Sequence, residues 1–226
     1  MEPITVRSHL ELLFRQFLAS ITLAGEVYGG TARERAKAFV DYFGAKLDFV
    51  EARLSKLDQA QRPSVLHISS YPPLIVDGGP SLIGEWIKIG GGIDAAASVS
   101  GTHVGITIEQ LLKWDPDVII VQTPGGDLGL TANSGQSVIA SLAAAPGWQD
   151  LKAVKAGRVY INPQGMYPWD RFGPEEVLQV QWAAKTLHPE LFQDLDMRAE
   201  ARSFYRTFFG YSLEDQELDQ MFLTSK

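Results

Sequence analysis

The stretch from Gly90 to Gly126, GGGIDAAASVSGTHVGITIEQLLKWDPDVIIVQTPGG, constrains this chain more than any other. It sets out a glycine turn, a short capped helix, a stop, a buried strand and a second glycine turn. Thr107 is placed to accept a hydrogen bond at the helix start, and Gln110 three residues later completes a capping box. Asp115-Pro116 ends the helix, because proline disfavours helical backbone at the residue before it. Val118, Ile119, Ile120 and Val121 form an unbroken apolar run between turn residues, the pattern of a strand buried on both faces.

Two further strands are read at Ser64–Ser69 (SVLHIS) and Arg158–Asn162 (RVYIN), and a short one at Pro3–Val6. Helices are read at Ser81–Ile89, at Ser134–Ala145 closed by Pro146, and from Pro174, Glu175 and Glu176 to about Leu187. Two more follow, near Asp196–Phe209 and Ser212–Phe222. Before the first long strand, Leu10, Leu13, Phe14, Phe17, Leu18 and Ile21 have helical spacing from Ser8 to about Leu23, and Gly29-Gly30 breaks it. Thr31, with Glu34 as its capping partner, then opens a long helix whose apolar stripe is Val40, Phe43, Leu47, Val50, Leu54 and Leu57. From Thr31 to Asp58 that helix spans about 42 Å, long for a small domain, and its stripe suits a coiled-coil segment. Three strands separated by helices imply right-handed crossovers and a mainly parallel sheet. The expected fold is α/β: a Rossmann-like, mainly parallel sheet flanked by helices, with a long N-terminal spine helix.

The net charge of −7 argues against a non-specific nucleic-acid binder, which needs a basic face to neutralise phosphates. There is no cysteine, so disulfides and thiolate metal sites are excluded. No apolar run has the roughly 18 residues of a membrane span, and MEPITVRSHLELL has no signal-peptide pattern. His9, His67, His103 and His188 have no paired spacing for a bare metal, and the loops after the strands lack the clustered carboxylates of a hard-cation site. His67 reads as a core residue and His188 as a helix-end cap. Neither a G-x-S-x-G elbow nor a P-loop is present, and Gly90-Gly91-Gly92 follows a helix rather than a strand, so no catalytic residue is assigned. Asp170 beside Arg171 is the one adjacent acid–base pair considered.

The glycine turn at Gly91-Gly92, the small-residue run Asp94–Ser98, the Glu-Gln-Leu-Leu helix at Glu109–Leu112 and the Pro-Asp-Val-Ile strand at Pro116–Ile119 together resemble class III periplasmic binding proteins. These are receptors of ABC importers for iron–siderophores, haem, cobalamin and some oxyanions. The resemblance runs from about Ser8 to the C-terminus and is best from Gly90 to Gly173. It implies that residues 1–30 are a remnant of an N-terminal lobe or a helical extension, 31–60 the spine helix and 61–226 the C-terminal ligand-binding lobe. It also implies a truncated product or an isolated domain, with the full-length form periplasmic or a cell-surface lipoprotein. No cofactor is implied. The expected partners are a chelated-metal or oxyanion small molecule and a membrane permease, with no nucleic acid.

In an open parallel sheet, ligands bind beyond the carboxyl ends of the strands. Three loops qualify, carrying Tyr71, then Thr123 and Asn133, then Tyr167, Trp169 and Arg171. Aromatic faces stack on bulky ligands, and arginine holds carboxylates, catecholates or oxyanions by paired hydrogen bonds. The resemblance implies ligand contacts from the last loop. The plainer alternative has Trp169 packed under its loop and Arg171 paired with Glu175 or Asp170. An iron chelate is the first expectation for the ligand, with haem, cobalamin, molybdate or tungstate as alternatives. An α/β enzyme with an unrecognised site and an interaction module are the competing classes. Glu109, in the first turn of the helix capped by Thr107, suits the helix dipole, and the resemblance gives it a second role, docking on permease arginines. The stripe on the long helix is expected to stay partly exposed where a second lobe would have covered it, favouring a homodimer.

Overall fold

Val65, Leu66, Ile68 and Val118–Val121 lose essentially all contact with water, because apolar side chains leave both faces of their strands. The computed structural model describes residues 12–122, 139, 140, 142 and 144–222. The elements named here are α1 (Leu12–Tyr28), α2 (Gly30–Leu54), β1 (Ser64–Ser70), β2 (Ile75–Val76), α3 (Leu82–Ile89), β3 (Ile93–Asp94), β4 (Val104–Gly105), α4 (Ile108–Trp114), β5 (Val118–Val121), α5 (Lys152–Lys155), β6 (Val159–Ile161), α6 (Glu176–Leu187), α7 (Met197–Phe209) and α8 (Asp215–Met221). The expected strand Pro3–Val6 lies outside the described residues. The expected helix Ser134–Ala145 is described only at 139, 140, 142 and 144, where the backbone is helical, and at 145, where it already bends away.

The sheet runs β4-β2-β1-β5-β6, with β3 also on β1. β1, β5 and β6 are parallel, so their carboxyl ends share one edge. The other flank of β1 is divided. β3 pairs with Ser64 and Val65 in parallel, and β2 pairs with Ile68 and Ser70 antiparallel. Between those last two pairs the register shifts, Ile68 opposing Val76 and Ser70 opposing Ile75, which leaves Ser69 as a bulged residue. On one face Leu66, Ile68, Ile119, Val121 and Ile161 pack with Leu111, Trp148 and Leu151. On the other, Trp86 of α3 sets its indole edge-on to His67, with ring centroids 5.8 Å apart, and α3 packs on α6. Gly91 supplies the left-handed turn out of α3 (φ 89°), where a Cβ would collide with His188.

Three helix starts are marked by a side-chain cap. Ser81, Thr107 and Asp196 each accept from a backbone amide of the first turn. Thr107 accepts from the Gln110 amide at 3.3 Å. Asp115 ends α4 in left-handed backbone, and its carboxylate accepts from the Lys152 amide at the start of α5. The long helix differs from expectation. It begins at Gly30, one residue before Thr31, which is therefore not a cap, and it stops at Leu54. Gly29 and Gly30, both with positive φ, turn α1 back along it.

The chain divides into two compact units, Met1–Phe49 and Val50–Lys226. The division falls inside α2. In the first unit, Phe14 and Phe17 of α1 interlock with Phe39 and Phe43 of α2, at centroid distances of 5.9 to 6.3 Å. The second unit holds the sheet and α3 to α8. Val40, Phe43, Leu47, Val50 and Leu54 are all buried, which corrects the expectation that this stripe is left open. The α1 aromatics supply cover at Phe43, so the surface on which the homodimer expectation relied is not exposed. Among the described residues no helix is long and apolar enough to cross a membrane.

Candidate functional site

Parallel strands bring the loops after β1, β5 and β6 to one edge, and there the second unit gathers a polar cluster around Asp77. Asp77 follows β2 and is buried. It accepts from the Ser69 hydroxyl at 2.5 Å and from the His103 amide at 3.0 Å. Burial pushes its pKa up, but the Ser69 hydroxyl, the His103 amide, His67 and Arg171 outweigh burial and hold the carboxyl below its ordinary range. Two basic side chains flank it. Arg171 Nη1 lies 3.7 Å from one Asp77 oxygen, and the imidazole Nδ1 of His103 lies 3.6 Å from the other.

Arg171 also donates from Nη2 to Gln122 Oε1 at 2.5 Å and lies 3.9 Å from Asp170. Three neighbours thus hold the guanidinium, while the side chain as a whole remains 22% exposed. Asp170 is fully buried and takes the other end of the network, at 2.8 Å from His67 Nε2. That contact places the hydrogen on Nε2, since a carboxylate only accepts. Among the described residues His67 Nδ1 has no hydrogen-bond partner, and it sits 3.9 Å from Asp77. His67, read as a core residue, is thus also the bridge between the two buried aspartates.

Tyr71 lies at the end of β1, 38% exposed, with its ring edge-on to Trp148 at 5.2 Å. Tyr167 is 55% exposed on the loop after β6, beside exposed Met166 and Phe172. Arg171 is brought to the same edge. Thr123 and Asn133 lie outside the described residues. Trp169 is a correction. It is fully buried, its indole N–H donates to Glu175 Oε1 at 3.1 Å, and it packs edge-on to Phe222 at 5.4 Å. The loop folds down over Glu175, which leaves that indole no face for a ligand. Glu109 is exposed in the first turn of α4, with no ion pair among the described residues, and the Thr107 hydroxyl helps to lower its pKa.

Sequence reasoning missed Asp77, Gln122 and the site role of His103. His103 stands in GTHVG, a turn signal, and takes positive φ (55°) there. No spacing rule joins His67 to Asp170, 103 positions away. Among the described residues, no three His, Asp or Glu side chains are grouped to hold a metal ion. The arrangement suits a ligand with acceptor atoms for Arg171 and His103, and apolar surface for Tyr71, Met166 and Tyr167.

Residues 5–165 match the family model described as periplasmic binding protein. Among curated proteins, the chain is 28% identical over 142 residues to the molybdate-binding protein MolA of Haemophilus influenzae, covering 62% of this chain and 38% of that one. It is 33% identical over 89 residues to the Fe(3+)-citrate-binding protein YfmC of Bacillus subtilis, covering 39% of this chain and 24% of that one. Among solved structures, a periplasmic solute-binding protein from Veillonella parvula superposes with a TM-score of 0.76 at 28% identity, over 91% of this chain and 59% of that chain. Molybdate-bound MolA superposes with a TM-score of 0.71 at 24% identity, over 87% of this chain and 56% of that one, a likeness of fold. The chain thus spans less than two thirds of each.

Proposed function

The chain belongs to the class III periplasmic binding proteins, solute binders rather than enzymes, and on that premise we propose that it is the ligand-binding lobe of an ABC-importer receptor. Its ligand is an iron chelate, bound at the carboxyl edge of the sheet. The observation that carries this reading is Arg171, anchored by Gln122, Asp77 and Asp170 at that edge while its side chain stays 22% exposed. His103 adds a second donor on the same buried aspartate, and Tyr71 and Tyr167 add apolar surface. The match to an Fe(3+)-citrate-binding protein supports a chelate. The longer match to a molybdate-binding protein favours a bare oxyanion as the second reading. The receptor works in the periplasm or on a lipid anchor at the cell surface, and Glu109 is its contact for permease arginines.

Titration calorimetry of the chain with ferric citrate and, separately, with molybdate tests the reading. Arg171→Ala is expected to weaken whichever probe binds by about 2 kcal/mol, roughly 30-fold, the scale of a lost charge-assisted contact. Equal affinity in the wild type and the variant would remove Arg171 from the site. Absence of binding by both probes would count against a chelate or oxyanion lobe.

A further inference from the structure

The loop from Gln164 to Phe172 carries Tyr167 and Arg171, yet its conformation is organised from below by one buried carboxylate on the approach to α6. Glu175 accepts from the Tyr167 amide at 3.0 Å, from the Trp169 indole N–H at 3.1 Å, and from the Met166 amide at 3.3 Å. A fourth donor comes from another element, the hydroxyl of Tyr205 on α7. That hydroxyl in turn accepts from the Met166 amide at 3.0 Å. Within the loop, the Gly165 amide donates to the Tyr167 carbonyl at 3.1 Å, closing a tight turn directly over the carboxylate. A Cβ on Gly165 would overlap both the Glu175 carboxylate and the Tyr205 hydroxyl.

We propose that Glu175 and Tyr205 are positioning residues of the ligand site: together they lock the loop after β6 so that Tyr167 and Arg171 are presented before any ligand arrives. The inference rests on the proposed ligand-site reading of that loop. All four groups facing Glu175 are donors, so only an acceptor at both oxygens satisfies them. Buried charge-assisted hydrogen bonds of this kind are stronger than neutral ones. A loop ordered in advance spares its ligand the entropy of ordering it. Tyr205, about thirty residues downstream on a packed helix, ties the loop to a rigid element instead of leaving it to its own turns. Glutamine fits the same space but points an NH2 group at donors, whereas phenylalanine at 205 removes one donor and one acceptor and keeps the ring.

Three variants of the chain test this: Glu175→Gln, Tyr205→Phe and Gly165→Ala. The last removes no charge and no hydrogen-bonding group, and pushes on the carboxylate and on the Tyr205 hydroxyl bound to it. Hydrogen exchange read by mass spectrometry is expected to speed up about tenfold or more in peptides covering 164–172 in all three, a loss on the order of one or two such bonds. Peptides from β1, β5 and α3 should be unchanged. Ferric citrate binding should weaken about tenfold in Tyr205→Phe, mainly through slower association, because the loop must now find its bound form. A uniform rise in exchange over the whole chain, or none at 164–172, overturns the proposal. So does faster loop exchange with unaltered ferric citrate association. If the wild type itself does not bind ferric citrate, the ligand reading falls, and the exchange pattern alone decides whether the carboxylate locks the loop.

Discussion

Glu176 opens α6 fully buried, and neither of its carboxylate oxygens has a hydrogen-bond partner among the described residues. Burial pushes its pKa from 4.5 up to about 9, with the charges of Glu85 and Asp170 adding to the rise. At neutral pH the group is therefore a neutral acid in the folded chain and a carboxylate in the unfolded one. Between pH 4.5 and about 9 the folded state holds one proton more than the unfolded state. The associated stability is fully present below the unfolded pKa and is lost as pH rises through the folded pKa. The slope is about 1.4 kcal/mol per pH unit, so from pH 5.5 to 7.5 wild type loses about 2.7 kcal/mol from this group. Glu176→Gln keeps the shape and the neutral state at every pH and lacks that slope. Urea unfolding of both chains at pH 5.5, 6.5, 7.5 and 8.5 gives the difference directly, since all other groups cancel. The glutamine variant should gain on wild type at each step and be the more stable chain by pH 8.5. Parallel stability curves would refute the reasoning, because they mean that the carboxyl ionises at its ordinary value.

Asp196→Ala, which removes the acceptor for the Arg198 and Ala199 amides at the start of α7, should cost about 1 kcal/mol in urea unfolding; a cost near zero would mean that solvent replaces the cap. Glu109→Arg should leave ligand affinity at its wild-type value and cost no more than about 1 kcal/mol of stability, the scale of a reversed charge at a helix start, because the side chain is exposed and makes no ion pair among the described residues, while ATPase stimulation or transport with the cognate permease falls. Transport that survives the charge reversal would leave Glu109 with only its part in the helix start.

The readable parts of the fold are those where local chemistry and tertiary burial agree. Val118–Val121 is a strand on either ground, and Thr107 is a cap because a short oxygen-bearing side chain stands just before a helix-forming run. β2, β3 and β4 have two residues each, too few for a period of two to register, and exist because partners offer them a ladder. The long helix was legible in its stripe but not in its start, since a two-glycine turn of positive φ competes with the Thr31 cap and wins. At the candidate site, the carboxyl-edge rule put Tyr71, Tyr167 and Arg171 on one edge of the sheet, and the structure has them there. It could not tell that Trp169 faces inward, because an indole on a loop serves equally as ligand platform or as plug, and the choice is made by Glu175, six residues on. Asp77, His67 and Asp170 meet only through sheet pairing and the return of the loop after β6, so they are invisible to any window along the chain.

The bulge at Ser69 shows how sheet regularity and a charged cluster can pull in opposite directions. A chain lacking that residue would let β1 and β2 run as an unbroken ladder, a gain for the sheet alone. It would also take away the hydroxyl on Asp77. Asp77 would keep its burial and lose a leading counterweight to it, so its charge, and with it the hold on Arg171 and His103, would weaken. Optimising this chain for a tidier sheet would therefore select against the polar cluster at its carboxyl edge, and a stabilised design should leave residues 68–70 as they are.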